Sequence, residues 1–281
     1  MSPCSTVAVD STSKWGRLGL VLSIIAAILC VANQARSEVR PPSVPAPAGV
    51  FPFDEYDALL KKYVDDQGRV DYPRLKATDA AAVEKLYAFV AATGPDKTPE
   101  LYQGRSAALA YYLSAYNVLV WKNVIDRIPR MKQVNEGLYS FFRNPKFQVN
   151  GKEVDLDDLE KKVIRPRFKD GRVHFALNCA SGGCPKLPQS AFTPDKVQSQ
   201  LERESKVFCN ETRNVNFDAA ARRVKLSMIF KWYKDDFGGS DETVLAFINK
   251  HRAADKQIPA GTKIEHVDYD WHMNDKTLPS R

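Results

Sequence analysis

The sequence predicts an α+β protein: a helix-rich single domain around a small, mostly antiparallel sheet. Two observations predict this fold class. Long segments repeat apolar residues at helical spacing, whereas the segments with strand character are short. In addition, no proline-rich stretch, repeat or low-complexity segment divides residues 53–274, so these residues are predicted to fold as one domain. The chain of 281 residues, 44% of them hydrophobic, is long enough to bury a sizeable core.

Helices are predicted where apolar residues recur at a spacing of about 3.6 residues. On the longest of them, over residues 101–125, Leu109, Leu113 and Tyr116 fall on one stripe. This stripe is expected to face the core. The other helices are predicted over residues 53–65, 80–92, 156–164, 193–208, 228–237 and 241–250.

Strand character is strongest over residues 173–177, a short apolar run. Residues 215–227 are predicted to form a hairpin, because two extended runs flank a turn. Residues 263–271 are predicted to be extended at the end of the domain. Together these segments supply the small sheet.

The N-terminus predicts export. Two basic residues precede an apolar stretch over residues 18–32, which at about 1.5 Å per residue is shorter than a bilayer core of about 30 Å. Residues 1–37 are therefore predicted to be a signal peptide, with a membrane anchor through residues 18–32 as the alternative. Either alternative places the domain outside the cytoplasm, periplasmic or secreted. The remaining segments are a proline-rich linker over residues 38–52 and a C-terminal tail over residues 275–281.

Composition excludes several functions. The net charge of +7 is spread along the chain, unlike the clustered basic surface of a nucleic-acid-binding protein. The sequence has no phosphate-binding or dinucleotide-binding glycine motif and no zinc-protease or serine-hydrolase motif, so no cofactor is predicted. His174, Cys179, Cys184 and Cys209 offer the donor atoms of a zinc site. They lack the C-x₂-C spacing that is typical of zinc sites, and exported thiols tend to oxidise, so no metal is predicted.

Three cysteines, Cys179, Cys184 and Cys209, follow the predicted signal peptide. In an oxidising compartment three thiols indicate one disulfide and one cysteine left over, and the sequence leaves all three pairings open. A Cys184–Cys209 disulfide would leave Cys179 free. A Cys179–Cys184 disulfide would close a short loop through Gly182 and Gly183 and act as a staple or as a redox pair.

A free Cys179 would be well placed as a nucleophile, because it follows a predicted buried strand and has polar Asn178 beside it. His174 is the first candidate base and His266 the second, and Asp270 could orient a histidine. In an extended strand the odd separation of His174 and Cys179 points their side chains to opposite faces. A direct dyad therefore requires the chain to fold back near Asn178.

Five blocks of the sequence, taken in order, resemble domain-of-unknown-function family 547 (DUF 547). They are residues 113–120, 156–160, 172–187, 225–238 and 269–274. The similarity runs from about residue 53 to residue 274. It implies an exported protein of bacterial type, because members of this family often carry secretion signals, and a relation to papain-like or transglutaminase-like thiol hydrolases. It does not specify a reaction.

Two functions are predicted as alternatives. The first is a thiol-dependent hydrolase or acyltransferase that acts on a peptide or amide, with Cys179 as nucleophile, His174 as base, and Asn178 and Asp270 as further site residues. The second is a non-catalytic, disulfide-stabilised domain that binds a ligand or a partner of the cell envelope. The substrate class, small molecule or peptide, and the oligomeric state are left open.

Overall fold

Helices dominate the secondary structure, which confirms the helix-rich α+β prediction. The computed structural model describes residues 39–45 and 48–279, and the predicted signal peptide, residues 1–37, lies outside them. The α-helices of the described part are α1 (Phe53–Tyr63), α2 (Tyr72–Ala92), α3 (Gly104–Arg127), α4 (Glu136–Arg143), α5 (residues 156–168, with a π-helical middle at Leu159–Ile164), α6 (Val197–Asn210), α7 (Met228–Trp232) and α8 (Asp241–Lys250). None of these described helices is long and apolar enough to cross a membrane.

Helix α3 lies at the centre of the larger hydrophobic core. The predicted stripe of Leu109, Leu113 and Tyr116 is buried, and so are Tyr111 and Val118 on the opposite side of the helix. A helix that is buried on every face belongs in the interior of a domain, and the other elements pack around it.

Helix α2 begins earlier than predicted. The side chain of Asp71 caps its first turn by accepting a hydrogen bond from the N–H of Arg74 at 3.2 Å, and Pro73 suits the same turn. The helix bends at Asp79, which has φ −129° and ψ 24°. The predicted helix therefore corresponds to the part that follows this bend.

The strands form two sheets rather than one. They are β1 (Val39–Arg40), β2 (Lys146–Val149) and β3 (Lys152–Val154) in the first sheet, and β4 (Val215–Asp218), β5 (Arg223–Leu226) and β6 (Lys263–His266) in the second. Strands β4 and β5 are antiparallel, which confirms the predicted hairpin. Each sheet also contains a parallel pair, β1 with β2 and β5 with β6, so the expectation of a mostly antiparallel sheet is corrected to two mixed sheets. Strand β6 is parallel because the chain returns to the sheet through α7 and α8.

The strand predicted over residues 173–177 is wrong: the chain forms a 3₁₀ helix at Gly171–Phe175. Asp170 begins this helix, because its side chain accepts a hydrogen bond from the N–H of Arg172 at 3.0 Å. The residues that follow are buried on all sides. An apolar run of this kind has no periodicity that separates a buried strand from a buried helix.

The ends of the described chain take part in the fold. Val39 and Arg40, in the predicted linker, form the edge strand of the first sheet. Asp275, in the predicted tail, is buried, and the N–H of Lys276 donates to the carbonyl of Val70 at 3.0 Å. A second, smaller hydrophobic core lies between α6, α8 and the second sheet. The segment that joins the two cores carries the site described next.

Candidate functional site

A short disulfide closes the loop that follows the 3₁₀ helix. Cys179 is bonded to Cys184, and Cys209 is a free, buried cysteine. Of the three pairings that the sequence leaves open, the structure therefore shows the local one. We call residues 179–184 the disulfide loop.

Asn178 holds the two ends of the disulfide loop together. Its side-chain oxygen accepts a hydrogen bond from the N–H of Ala180 at 2.9 Å, and its amide group donates to the carbonyl of Pro185 at 2.8 Å. The N–H of Asn178 donates in turn to the side-chain oxygen of Asn117, on α3, at 2.9 Å. Both asparagines are buried and satisfy backbone groups that no regular secondary structure serves. Asn178, predicted as a site residue, thus shapes the loop.

The disulfide loop also pairs with the C-terminal segment. The N–H of Gly182 donates to the carbonyl of His272, and the N–H of Gly183 donates to the carbonyl of Asp270, both at 2.8 Å. A Cβ atom on Gly183 would lie 2.8 Å from the ring of Tyr269. Glycine is required there because the two chain segments approach so closely.

Both sulfur atoms lie beside hydroxyl groups. The Tyr269 hydroxyl is 3.3 Å from Cys179 Sγ and 3.2 Å from Cys184 Sγ. The Ser181 hydroxyl is 3.1 Å and 3.4 Å from the same two atoms. The N–H of Cys179 donates to Cys184 Sγ at 2.9 Å. Burial raises the pKa of Tyr269 well above its ordinary value, so this hydroxyl keeps its proton and can donate to sulfur.

The disulfide forms part of the wall of an open cleft with a volume of about 430 Å³. Much of the remaining wall is aromatic. The ring centroid of Tyr269 lies 4.8 Å from that of Trp232 and 4.6 Å from that of Trp271, and Tyr139 packs on Trp271 at 5.3 Å. Trp232 and Tyr139 are each 43% exposed. We call this feature the aromatic cleft.

A charged cluster adjoins the aromatic cleft. Nε2 of His174 lies 2.7 Å from Oδ2 of Asp236, and Nδ1 lies 3.6 Å from Oε1 of Glu160. Nε of Arg165 binds the same Asp236 oxygen at 2.6 Å. The ring of Tyr233 stacks on the imidazole with a centroid distance of 3.9 Å. The side chain of His174 is therefore fixed on both its edges and on one face.

The charges of this cluster determine the direction in which the pKa of His174 is shifted. Burial acts to lower the pKa of His174, but its bonds to Asp236 and Glu160 outweigh burial and raise that pKa above the ordinary value. Burial likewise acts to raise the pKa of Asp236, but the bonds to His174 and Arg165 prevail and lower it to about 2. The two carboxylates therefore favour the protonated form of His174 more than water does, which weakens this imidazole as a general base.

The segment that carries the disulfide loop is similar to a known protein family. Residues 100–209 match the family model described as "Protein of unknown function, DUF547". Residues 100–209 are therefore assigned to the DUF547 family. The resemblance predicted from the sequence is confirmed over this range, and the blocks at residues 225–238 and 269–274 lie outside the match. No curated protein and no solved structure matches the chain significantly.

The structure places the four predicted site residues in different surroundings. Cys179 and His174 both line the aromatic cleft, whereas Asn178 and Asp270 line a groove on the other side of the disulfide loop, with a volume of about 660 Å³. Cys179 is bonded to Cys184, and both nitrogens of His174 face carboxylates. Among the described residues, His174 has no hydrogen bond to sulfur. A catalytic role for the four residues stays a prediction.

Asp270 does orient a histidine, but one that the sequence analysis missed. Oδ1 of Asp270 lies 2.8 Å from Nδ1 of His272, and Nε2 of His272 lies 3.2 Å from the side-chain nitrogen of Gln133. The Asp-x-His spacing was a usable signal, because residues two apart in an extended segment lie on the same face. His266, the second candidate base, lies at the end of β6 and outside the lining of the aromatic cleft.

The residues considered as zinc ligands are used in other ways. Within the part of the chain that the structure describes, no group of three or more His, Cys, Asp or Glu side chains is arranged to hold a metal. Cys179 and Cys184 share a disulfide, and His174 binds carboxylates. Cys209 lies in the smaller hydrophobic core, where burial raises the pKa of its thiol to about 12.

Proposed function

We propose that this protein binds a small ligand in the aromatic cleft, and that the Cys179–Cys184 disulfide staples the wall of the cleft. The observation that carries the proposal is the contiguous group of Trp232, Tyr269 and Trp271, whose rings contact one another beside open space. Aromatic side chains are normally buried on folding, so such a group at the surface of a concave site favours ligand binding.

The charges around the cleft favour a neutral ligand. Lys161 pairs with Asp157 at 2.6 Å, and Arg165 pairs with Asp236 at 2.6 Å. A charged ligand would have to compete with these pairs, whereas a neutral one with polar edges can add hydrogen bonds to them. A pyranose ring has this chemistry, because its C–H face packs on an indole or phenol ring and its hydroxyl groups lie at the edge. We therefore infer that the ligand is a saccharide.

The disulfide supports a location outside the cytoplasm, because disulfides persist in oxidising compartments and are rare in reducing ones. The proposal accordingly includes export through residues 1–37, by a cleaved signal peptide or by a membrane anchor. Either route would present the aromatic cleft to polymers of the periplasm or of the medium.

Titration of the full chain with a soluble oligosaccharide of N-acetylglucosamine, followed by tryptophan fluorescence, tests the proposal. We expect a saturable change, because Trp232 and Trp271 line the cleft while Trp121 is buried in the larger core. Trp232→Ala should weaken binding about tenfold or more, since buried aromatic contacts dominate binding energies. Leu101→Ala is the matched control, an exposed apolar side chain outside the cleft. A wild-type chain that does not bind, or two variants that bind equally, would contradict the proposal.

A second candidate is a thiol-dependent hydrolase or acyltransferase that acts on a peptide or amide through Cys179. It is favoured by the Cys179 sulfur, which lines the cleft within 3.1 Å of the Ser181 hydroxyl and 3.3 Å of the Tyr269 hydroxyl. Hydrolysis or acyl transfer by Cys179 requires the Cys179–Cys184 disulfide to be reduced first, because the nucleophile is a thiolate. Alkylation of the reduced chain by iodoacetamide across a pH series tests it. An apparent pKa for Cys179 well below about 8.5 supports the candidate, and alkylation as slow as that of Cys209 contradicts it.

A further inference from the structure

We propose that the Cys179–Cys184 disulfide is a site of thiol–disulfide exchange, at which an external thiol attacks Cys179 and Cys184 is the leaving group. This activity goes beyond ligand binding and does not depend on it. The partner is a dithiol carried by a peptide or protein, because a second thiol on the same molecule completes the exchange.

Accessibility determines which sulfur is attacked. Both cysteines line the aromatic cleft, but Cys179 is partly exposed and Cys184 is only 4% exposed. An incoming thiolate must approach along the axis of the disulfide bond, and it reaches the more accessible sulfur first. The mixed disulfide therefore forms on Cys179.

The structure supplies three hydrogen-bond donors for the sulfur that leaves. Cys184 Sγ accepts from the N–H of Cys179 at 2.9 Å, from the Tyr269 hydroxyl at 3.2 Å and from the Ser181 hydroxyl at 3.4 Å. These bonds are weak to a neutral disulfide sulfur and become charge-assisted when negative charge develops on it. They therefore stabilise the product of bond cleavage more than the starting disulfide, which accelerates the step.

A disulfide that is merely a staple does not need this arrangement. Cys209 shows the contrast: it lies among apolar side chains in the smaller core, where burial raises the pKa of its thiol. Around Cys179 and Cys184, Tyr269 and Ser181 both direct hydroxyl groups at sulfur. The polar groups are concentrated at the one place where a thiolate would form.

The exchange takes place in two steps. The partner's thiol loses its proton to solvent, and the resulting thiolate forms a bond to Cys179 Sγ as the Cys179–Cys184 bond breaks. The electron pair of that bond moves to Cys184 Sγ. The partner's second thiolate then attacks its own sulfur in the mixed disulfide and releases Cys179. The partner is oxidised to a disulfide and the protein is reduced to a dithiol, and the reverse sequence reduces a partner disulfide and restores the Cys179–Cys184 bond.

Reaction of the full chain with reduced glutathione, quenched with acid and mapped by mass spectrometry, tests the assignment of roles. Glutathione forms a mixed disulfide with the sulfur that it attacks, and the acid quench traps this intermediate by protonating the released thiolate before it displaces glutathione. We expect it on Cys179, in the folded protein and without denaturant. A disulfide that resists glutathione until the chain is unfolded, or a mixed disulfide on Cys184, would overturn the proposal.

A rate comparison tests the hydroxyl groups separately. Tyr269→Phe removes one donor to sulfur and retains the ring, and should slow exchange about tenfold, the effect of one charge-assisted hydrogen bond that is partly formed in the transition state. Tyr63→Phe is the matched control, because the hydroxyl of Tyr63 binds Asp79 and not sulfur. Equal rates for wild type and Tyr269→Phe would refute the role of Tyr269. Saccharide binding that persists when exchange is absent would show that this inference alone has failed, not the proposed function.

Discussion

Two histidine–aspartate pairs flank the disulfide loop, and they differ in burial more than in geometry. Nε2 of His174 lies 2.7 Å from Asp236, and Nδ1 of His272 lies 2.8 Å from Asp270. The side chain of His174 is 2% exposed and that of His272 is 38% exposed. The first pair adjoins the aromatic cleft and the second lines the groove. Distance alone therefore does not tell which pair stabilises the fold.

The catalytic site predicted from the sequence combined one residue from each of these two histidine–aspartate pairs. The sequence analysis joined His174 and Asp270, which belong to different pairs in the structure. His174 and Asp236 are separated by a long stretch of chain that includes α6 and the hairpin of β4 and β5. A motif of closely spaced residues therefore could not indicate that His174 and Asp236 interact.

The largest expected effect separates the two pairs by stability. His174→Ala removes the group that Asp236 and the buried Glu160 share and leaves Asp236 paired with Arg165, and it should lower the free energy of unfolding by about 3 kcal/mol. His272→Ala breaks an exposed pair and should cost less than about 1 kcal/mol. Urea unfolding followed by circular dichroism measures both. Equal losses would show that burial does not distinguish the pairs.

Removing the disulfide should have the next largest effect. The double variant Cys179→Ala/Cys184→Ala opens a loop of six residues, and loop-closure entropy predicts a loss of about 2 kcal/mol in the free energy of unfolding. Urea unfolding of the oxidised wild type, the reduced wild type and the variant provides the comparison. A variant as stable as the oxidised protein would mean that the hydrogen bonds of Asn178 hold the loop without the disulfide.

Much of the fold could be predicted, because many elements depend on local chemistry. Helix α8 begins where the sequence places it, since the Ser240 side chain accepts from the N–H of Thr243 at 3.2 Å and the two residues form a capping box. The hairpin of β4 and β5 likewise follows from its own pattern. Such elements need no information from distant parts of the chain.

The site was less predictable, because distant residues decide it. The cysteine pairing depends on Asn178, which closes the disulfide loop, and on Asn117 of α3, which fixes Asn178. The aromatic cleft requires Tyr269 and Trp271 from the C-terminal segment to meet Trp232 of α7. Neither arrangement has a periodic signal in the sequence, and both arise only when the domain packs.

The dependence of the free energy of unfolding on pH should further distinguish the buried His174–Asp236 pair from the exposed His272–Asp270 pair. The pKa of His174 is raised above 6.5, its ordinary value, by Asp236 and Glu160 against the effect of burial. The stabilisation from protonated His174 is therefore complete below about pH 6.5 and is lost as pH rises through the folded pKa. The pKa of Asp236 is lowered to about 2, so its contribution is present above about pH 3.8 and is lost as pH falls towards 2.

Chemical unfolding at a series of pH values measures this window, which lies between about pH 3.8 and 6.5 for this cluster. His174→Gln, which cannot be charged, should flatten the decline on the alkaline side. An unchanged decline in this variant would assign it to another titrating group.

The smallest expected effect concerns Cys209, which the sequence could not distinguish from the other two cysteines. Burial raises the pKa of its thiol to about 12, so little thiolate forms near neutral pH. After reduction of the native protein, iodoacetamide should modify Cys179 and Cys184 and leave Cys209 intact until the chain unfolds. Cys209→Ala should lower the free energy of unfolding by about 1 kcal/mol, the cost of a small cavity. Rapid alkylation of native Cys209 would mean that the smaller core opens locally, and burial would then not be what keeps this thiol unreactive.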